Sequence, residues 1–240
     1  MSRPRRPNKR RSADTEPMGA GATQRERHQG TRQQGAPTRG PDSELRIIGG
    51  RLRGSHVAYS GDPRTRPMKE RVREAVFNLL GPAVRDSYVL DLFAGTGAMA
   101  LEAISRGAAA AVAFEQHFPS VRLIEENVSQ LGASDFVEAV AGDAFFWVPR
   151  RLPTRDRRWT VFCCPPYDFY VERPADLLGL LETLVRAAPP ASRFVVESDA
   201  RFDFAQLAPL GEWRVHDYPP ARVGILVIAG DTAEGPIARA

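Results

Sequence analysis

The stretch Tyr88-Val89-Leu90-Asp91-Leu92-Phe93-Ala94-Gly95-Thr96-Gly97 decides the fold. An apolar run with strand character ends at Asp91, and two glycines then lead into residues 98–106, where the apolar spacing is helical. Glycine allows a sharp turn and a close approach of the backbone to a ligand, because it has no Cβ. This glycine motif, Asp91–Gly97, therefore predicts the first strand–turn–helix unit of a doubly wound sheet, with a ligand at the carboxyl end of the strand.

The chain after this motif alternates between strand-like and helical patterns. Strand-like runs occupy 88–92, 110–115, 136–140, 159–164 and 194–197, and helical patterns occupy 98–106, 119–131 and 175–188. This alternation predicts a parallel sheet covered on both faces. The last two strand-like runs, 213–218 and 223–228, are joined through Pro219-Pro220, which is too short for a helical crossover. We therefore predict an α/β, Rossmann-like fold with a mainly parallel seven-stranded sheet and a C-terminal antiparallel hairpin, an outline that resembles class I methyltransferases.

The segment before the sheet predicts a small extension. Residues 45–59 are typical of a β-hairpin with a turn at Gly49-Gly50. Pro67 then begins a helical pattern that ends at Gly81-Pro82. Its apolar face is formed by Val72, Val76, Leu79 and Leu80.

The first 43 residues differ in composition from the rest. They hold ten basic and four acidic side chains, a charge of +6, so that residues 44–240 carry −2 of the total of +4. With almost no large apolar groups, this tail cannot offset its ordering entropy, which predicts disorder. It is interpreted either as a solubilising extension or as a flexible arm that binds nucleic-acid phosphates. The predicted organisation is a disordered basic tail over 1–43, an RNA-binding hairpin and helix over 44–82, and a methyltransferase domain over 83–240.

Composition restricts the cellular setting. The two adjacent cysteines, Cys163 and Cys164, cannot crosslink a fold and favour a reducing, cytoplasmic location. No apolar run reaches the length of a membrane span, and the Arg-rich start does not resemble a secretory signal. We expect a monomer that has no membrane partner and no bound metal.

Acidic residues follow three of the predicted strands. Glu115 ends the second strand of the sheet, where a carboxylate commonly binds ribose hydroxyls. The glycine motif also matches a loose dinucleotide fingerprint, so it does not by itself distinguish S-adenosylmethionine from NAD. Asp91 favours S-adenosylmethionine, because a carboxylate there can pair with a ligand ammonium group, and Asp143 is placed to accept from an adenine amine. The alternatives are a loop cap for Asp91 and a helix N-cap for Asp143.

A second motif, Cys164-Pro165-Pro166-Tyr167, ends the fourth strand. Two prolines hold the backbone rigid and remove two amide donors, so that carbonyl acceptors remain for an exocyclic amine. The Tyr167 ring offers a face on which an extruded base can stack. The Cys164–Tyr167 motif therefore predicts a site for a planar base beside the cofactor.

The ordered set of motifs resembles the RsmD-type bacterial methyltransferases, which modify the N2 amine of a guanine in 16S ribosomal RNA. The resemblance covers about residues 45–230 and is carried by Arg46–Gly54, Arg66-Pro67, Arg71–Glu74, Phe77-Asn78, Asp91–Gly97, Leu101–Ala103, Ser105–Ala108, Glu115, Asp143-Ala144 and Pro165–Tyr167. It implies S-adenosylmethionine as the methyl donor and small-subunit rRNA, or its assembly intermediate, as the partner. The expected cofactor-binding residues are Asp91, Phe93, Gly95, Gly97, Glu115, Asp143 and Ala144, and the expected catalytic residues are Cys164, Pro165, Pro166 and Tyr167.

Cys164 departs from the family pattern, which has Asp before the two prolines. A thiol is a poor hydrogen-bond acceptor, and loss of a charged hydrogen bond in a closed site costs about 2–4 kcal/mol. Three outcomes stay open: slower catalysis on the same target, a different target amine, or a binding protein without turnover. A nucleophilic Cys164 is disfavoured because no activating base is close in sequence. Asp168 is a candidate substitute carboxylate, with a helix-capping role as the alternative.

Seven arginines lie within a short segment before the sheet. They are Arg46, Arg51, Arg53, Arg64, Arg66, Arg71 and Arg73. Arg binds phosphate in a bidentate manner and stacks on bases, so the cluster predicts RNA contact; Arg66 has a cofactor carboxylate as its alternative partner.

The expected function is therefore an S-adenosylmethionine-dependent rRNA (guanine-N2) methyltransferase. The alternatives are a catalytically weakened RNA-binding or ribosome-assembly factor and a DNA amino-methyltransferase. A dehydrogenase is disfavoured because no residues for a hydride site accompany the glycine motif.

Overall fold

The computed structural model describes residues 44–62 and 67–230. The predicted disordered tail, Arg64 and Arg66 lie outside the described residues. The strands are β1 (Glu44–Arg46), β2 (His56–Ala58), β3 (Tyr88–Asp91), β4 (Ala110–Glu115), β5 (Val137–Ala141), β6 (Trp159–Cys163), β7 (Arg193–Ser198), β8 (Trp213–Tyr218) and β9 (Ala221–Val227). The helices are α1 (Glu70–Leu80), α2 (Ala98–Ser105), α3 (Phe118–Gln130), α4 (Ala144–Trp147), α5 (Phe169–Glu172) and α6 (Pro174–Ala187). No helix within the described ranges is long and apolar enough to cross a membrane.

Seven strands form the main sheet, in the order β5-β4-β3-β6-β7-β9-β8. The strands from β5 to β7 pair in parallel, whereas β9 is antiparallel to both β7 and β8. The prediction of a mainly parallel seven-stranded sheet with a C-terminal antiparallel hairpin is confirmed. The order reverses at β3, where the chain leaves toward β4 on one side and β6 lies on the other, so that a crevice opens at the carboxyl ends of these strands.

Side chains that alternate along β6 show why both faces of the sheet are covered. Trp159, Val161 and Cys163 pack in one hydrophobic cluster with apolar residues of α4 and α6. Phe162, which points to the opposite face, packs in a second cluster with residues of α1, α2 and α3. A strand buried on both faces has a continuous apolar sequence, which is the pattern that predicted a parallel sheet.

The predicted two-residue turn at Gly49-Gly50 is wrong. β1 and β2 pair with Leu45 opposite Val57, and residues 47–55 form a longer connection between them. This connection is held by α2: the amides of Ile48 and Gly49 donate to the Glu102 carboxylate at 2.7 and 2.8 Å. Gly50 has a φ of +78°, and a Cβ there would lie 1.9 Å from the Ser105 carbonyl oxygen. Contacts to a distant helix, rather than local turn preference, set this conformation.

The buried face of α1 also differs from the prediction. Leu79 is 40% exposed, whereas Val72, Val76 and Leu80 are buried as expected and Phe77 joins them. The buried positions follow the three- and four-residue spacing of one helix face, from which position 79 is rotated away. The predicted strands and helices of the main sheet differ from the observed bounds by at most two residues at either end, and 110–115 and 213–218 match them.

Candidate active site

A cavity of about 380 Å³ opens at the carboxyl ends of β3, β4, β5, β6 and β7. It brings together nine of the predicted cofactor-binding and catalytic residues: Phe93, Gly95, Glu115, Asp143, Ala144, Cys164, Pro165, Pro166 and Tyr167. The volume is in the range of small-molecule sites in proteins. The location at the switch point of the strand order is where doubly wound folds bind their ligands.

Glu115 at the end of β4 is fixed by the backbone. Its Oε2 accepts from the Gly95 amide and its Oε1 accepts from the His117 amide, both at 2.8 Å. The carboxylate thus links the turn after β3 to the turn after β4. Each carboxylate oxygen has more than one acceptor position, so ribose hydroxyls can still bind to a side chain whose orientation is already set.

Asp143 follows β5 and has the helix-capping contact that was the alternative to a ligand role. Its Oδ1 accepts from the Phe145 amide at 2.9 Å at the start of α4, and its Oδ2 lies 3.6 Å from Nη1 of Arg173. Arg173 in turn lies over the Phe145 ring at 4.1 Å. Asp143 nevertheless lines the cavity, so capping and ligand contact are compatible at this position.

Asp91 and Gly97 are not among the residues that line the cavity. Asp91 is buried, and its Oδ2 accepts from the Ala100 amide at 3.3 Å, which is the capping role that was its alternative. Burial raises the pKa of Asp91 to about 7, against the opposing effect of the Ala100 hydrogen bond. A Cβ on Gly97 would lie 3.0 Å from Ile124 of α3, so this glycine is needed for helix packing. The direct ligand contact predicted for these two residues has no support in the cavity wall.

The Cys164–Tyr167 motif forms the wall opposite Glu115. The Pro166 carbonyl accepts from the Phe169 amide at 3.0 Å, whereas the Pro165 carbonyl receives no hydrogen bond from the described residues. Burial raises the pKa of the Cys164 thiol well above its ordinary value, and the carboxylate of Glu197 adds to the shift. A neutral thiol is a weak nucleophile, so the structure argues against covalent catalysis at Cys164.

Glu197 near the end of β7 lines the cavity and was missed by the sequence analysis. It is 8% exposed, and its Oε1 accepts from the Tyr167 hydroxyl at 2.9 Å. Burial raises the pKa of Glu197, and the Tyr167 hydrogen bond acts in the opposite direction. The signal was available, because Glu197 is an acidic residue at the end of a predicted strand, as Asp91 and Glu115 are.

Two further segments that the sequence analysis did not assign to the site close the cavity. Pro67, Met68 and Lys69 contribute from the start of α1, and Tyr218 and Pro220 contribute from the turn between β8 and β9. The guanidinium of Arg71 donates to the Pro219 carbonyl and joins these two segments. The N-terminal extension is therefore part of the cavity wall.

Asp168 lines the cavity without the capping bond that was its alternative role. Its Oδ1 accepts from Nη1 of Arg201 at 2.9 Å, and Arg201 also binds Asp199 at 2.8 Å. Asp168 is 69% exposed. It is thus a solvated partner of Arg201 at the cavity rim.

The predicted RNA-binding arginines fall into two groups. Arg46, Arg51, Arg53 and Arg71 are exposed on the extension. Arg73 is 1% exposed; it donates to the Arg46 carbonyl, and its Nε lies 4.0 Å from the Glu102 carboxylate. The prediction that Arg73 contacts RNA is wrong, because its guanidinium is enclosed between α1, α2 and the hairpin. Within the described residues, no three His, Cys, Asp or Glu side chains are grouped as metal ligands.

The chain matches a family model described as Conserved hypothetical protein 95 over residues 45–216. It is 39% identical over 131 residues to ribosomal RNA small subunit methyltransferase D of Escherichia coli (strain K12), covering 55% of this chain and 64% of that protein. It is 30% identical over 127 residues to the putative rRNA methyltransferase YlbH of Bacillus subtilis (strain 168), covering 51% of this chain and 67% of that protein. The match to the Escherichia coli protein thus spans slightly less than two thirds of its length.

Two solved structures have the same architecture. The putative methyltransferase yhhF from Escherichia coli superposes with a TM-score of 0.60 at 27% identity, covering 78% of this chain and 98% of that one. The 16S rRNA N2 G1207 methyltransferase RsmC of Thermus thermophilus, in complex with AdoMet and guanosine, superposes with a TM-score of 0.57 at 22% identity, covering 77% of this chain and 49% of that one. The second likeness shows the fold alone.

Proposed function

Because the chain belongs to the Conserved hypothetical protein 95 family, we propose that it is an S-adenosylmethionine-dependent RNA methyltransferase. Its proposed target is an exocyclic base amine, the N2 of a guanine in small-subunit rRNA. The observation that carries the proposal is a single cavity that contains the carboxylates of Glu115 and Asp143 on one side and Pro165-Pro166-Tyr167 on the other. A cofactor and a planar base can therefore bind next to each other.

The residues of the β3–β5 side fit S-adenosylmethionine. Glu115 is oriented by two backbone amides and can accept from the ribose hydroxyls, and Asp143 can accept from the adenine amine. Phe93, Gly95 and Ala144 supply apolar or backbone surface in the same wall. When bound, S-adenosylmethionine supplies a methyl group activated by its sulfonium centre.

The residues of the β6 side orient the base. The Tyr167 ring provides a stacking surface for a base extruded from the RNA. The Pro165 carbonyl accepts no hydrogen bond from the described residues, so it can accept one from the exocyclic amine. The two prolines hold this acceptor in place, so the contribution of the protein is chiefly positioning. The relatives described as rRNA methyltransferases support rRNA as the substrate class.

Cys164 favours a second candidate function, that of an RNA-binding or assembly factor with little turnover. It stands where the resembling family has a carboxylate, and burial keeps its thiol neutral. The cofactor side of the cavity supports the enzyme instead, because Glu115 and Asp143 both line the space in which a cofactor can bind.

Transfer of tritium from methyl-labelled S-adenosylmethionine to small-subunit rRNA tests the proposal. Immature and mature rRNA, free and in particles, are the substrates, and nucleoside mass spectrometry identifies the product. We expect N2-methylguanosine. S-adenosylmethionine binding in calorimetry together with RNA binding but no label in any substrate would support the assembly factor, and the absence of cofactor binding would contradict the proposal at its first step.

A further inference from the structure

We propose that Glu197 accepts a hydrogen bond from the exocyclic amine of the target base and so supplies the carboxylate that Cys164 lacks. This inference rests on the proposed function and names a residue that positions the substrate for that reaction. Four observations support it: the strand register, the hydrogen bonds of Glu197, the state of the other carboxylates in the cavity, and the chemistry of Cys164.

The register of the sheet places Glu197 beside Cys164. β6 and β7 are parallel neighbours, and Cys163 pairs with Val196. The next residues along the two strands, Cys164 and Glu197, therefore reach the cavity side by side, and both line it. The Glu197 carboxylate can thus reach a ligand that lies in front of the Cys164–Tyr167 motif.

The hydrogen bonds of Glu197 leave it open to a further donor. Its Oε1 accepts from the Tyr167 hydroxyl at 2.9 Å, while its Oε2 has no donor among the described residues. Glu197 also has no ion pair with any Arg, Lys or His in the described part of the chain. Oε2 is not one of the fully buried side-chain atoms without a partner in the described part of the chain, so it is accessible from the cavity. An amine N–H of the substrate would donate to it there.

Tyr167 connects this acceptor to the base. The same side chain that offers a stacking face holds Glu197 through its hydroxyl, so that the carboxylate is fixed at the edge of the proposed base site. A base stacked on the ring with its exocyclic amine toward the Tyr167 hydroxyl would place that amine beside the carboxylate. The Pro165 carbonyl and Glu197 would then each accept one hydrogen of the same amine.

The other carboxylates in the cavity wall are less suited to this role. Both oxygens of Glu115 accept from backbone amides, and Asp143 caps α4 and faces Arg173. Asp168 is exposed and paired with Arg201. Among the lining residues that the structure describes, Glu197 is the one carboxylate that is buried and whose side-chain partner, the Tyr167 hydroxyl, is uncharged. The Cys164 thiol beside it is a poor acceptor.

Binding of guanosine and inosine tests the contact without turnover, because inosine lacks only the 2-amino group. Calorimetry uses the full chain saturated with S-adenosylhomocysteine. We expect the wild type to bind guanosine about tenfold or more tightly than inosine, since a hydrogen bond to a charged group is stronger than one between neutral groups. In Glu197→Gln the preference should fall to about threefold or less, and in Glu138→Gln, an exposed partner of Arg151, it should be unchanged.

Rescue of Glu197→Gln by a second substitution provides the second test. A variant that has lost its fold would not be rescued, so this test separates misfolding from loss of the contact. Glu197→Gln should slow methyl transfer to small-subunit rRNA about tenfold or more, with S-adenosylmethionine affinity unchanged, and Cys164→Asp in the same chain should restore the rate. An unchanged guanosine preference in Glu197→Gln, or no preference in the wild type, would overturn the inference. If the wild type transfers no methyl group to rRNA, the proposed function fails, while the nucleoside preference still decides the contact made by Glu197.

Discussion

On the side of the cavity that follows β3, β4 and β5, carboxylates accept from backbone amides, whereas on the side that follows β6 and β7 two acceptors have no donor among the described residues. Glu115 and Asp143 represent the first side, and the Pro165 carbonyl and Oε2 of Glu197 represent the second. The first side is already organised before a ligand arrives. The second is completed only by a substrate, which is consistent with a cofactor that binds in a fixed pose and a base that must be selected.

Asp91 gives the largest expected effect, because its carboxyl is buried and accepts from the Ala100 amide at a distance of 3.3 Å, longer than the bonds of Glu115 and Asp143. Its pKa of about 7 in the folded chain exceeds the unfolded value of 3.8, since burial disfavours the charged form. The folded state therefore binds more protons between these values, and stability falls as the pH rises through this window. Compared with Asp91→Asn, the wild type should lose about 4 kcal/mol of unfolding free energy between pH 4 and pH 8.

Urea unfolding of the two proteins across this pH range measures the difference. Glu115→Gln in the same series separates the contribution of the neighbouring carboxylate, which also raises the pKa of Asp91. If the difference in unfolding free energy between wild type and Asp91→Asn is independent of pH, folding does not raise the pKa of Asp91 and its carboxyl is ionised in the folded chain at neutral pH.

Glu115→Ala should cause the next largest effect, on cofactor affinity. The substitution removes the acceptor of the Gly95 and His117 amides together with the proposed ribose contact. We expect S-adenosylmethionine affinity to fall about a hundredfold, because hydrogen bonds to charged groups contribute about 1.5–3 kcal/mol. Calorimetry measures this change, with Glu138→Ala on β5 as the control. A loss below threefold would show that Glu115 organises the turn without binding the ligand.

The two sides also differ in how far the sequence predicted them. Acidic residues at strand ends were expected to meet at one edge of the sheet, and Glu115 and Asp143 do, because parallel strands end at a common edge. The same signal is present at Glu197, which stands near the end of β7, although the sequence analysis did not assign it to the site. That Cys164 and Glu197 are neighbours depends on β6 lying next to β7, a fact of strand order that local patterns do not contain.

The N-terminal extension shows the limit of local patterns more clearly. Gly49-Gly50 is typical of a tight turn, but the loop is shaped by Glu102 and Ser105, which lie more than fifty residues away in sequence. Arg73 was grouped with its exposed neighbours by charge, although it lies next to Val72 and one turn from Val76 and Phe77 on the buried face of α1. Its position in the helical spacing, which the sequence analysis did not use, accounts for its burial.

Tyr167 allows a smaller, selective test of the substrate side. Tyr167→Ala removes the stacking surface and should lower kcat/KM for RNA about tenfold to a hundredfold, because stacking of a base on an aromatic ring contributes about 1–3 kcal/mol. Tyr167→Phe keeps the ring and should cost less than about fivefold. S-adenosylmethionine affinity should be unchanged in both variants. If cofactor affinity falls together with kcat/KM, the two sides of the cavity do not act independently.

The exposed arginines should have the smallest effect and should leave both sides of the cavity intact. We expect Arg51→Ala combined with Arg53→Ala to weaken rRNA binding about threefold to tenfold and to reduce the salt dependence of the affinity by about one to two charges. Filter binding at several salt concentrations measures this, with exposed Arg214 on β8 as the control. A change in salt dependence with Arg214→Ala but not with the Arg51 and Arg53 substitutions would place the RNA surface near β8 instead of on the extension.

Arg73, in contrast to the exposed arginines, should affect folding and not RNA binding. Arg73→Ala should lower thermal stability, because it removes the donor to the Arg46 carbonyl and the buried partner of Glu102.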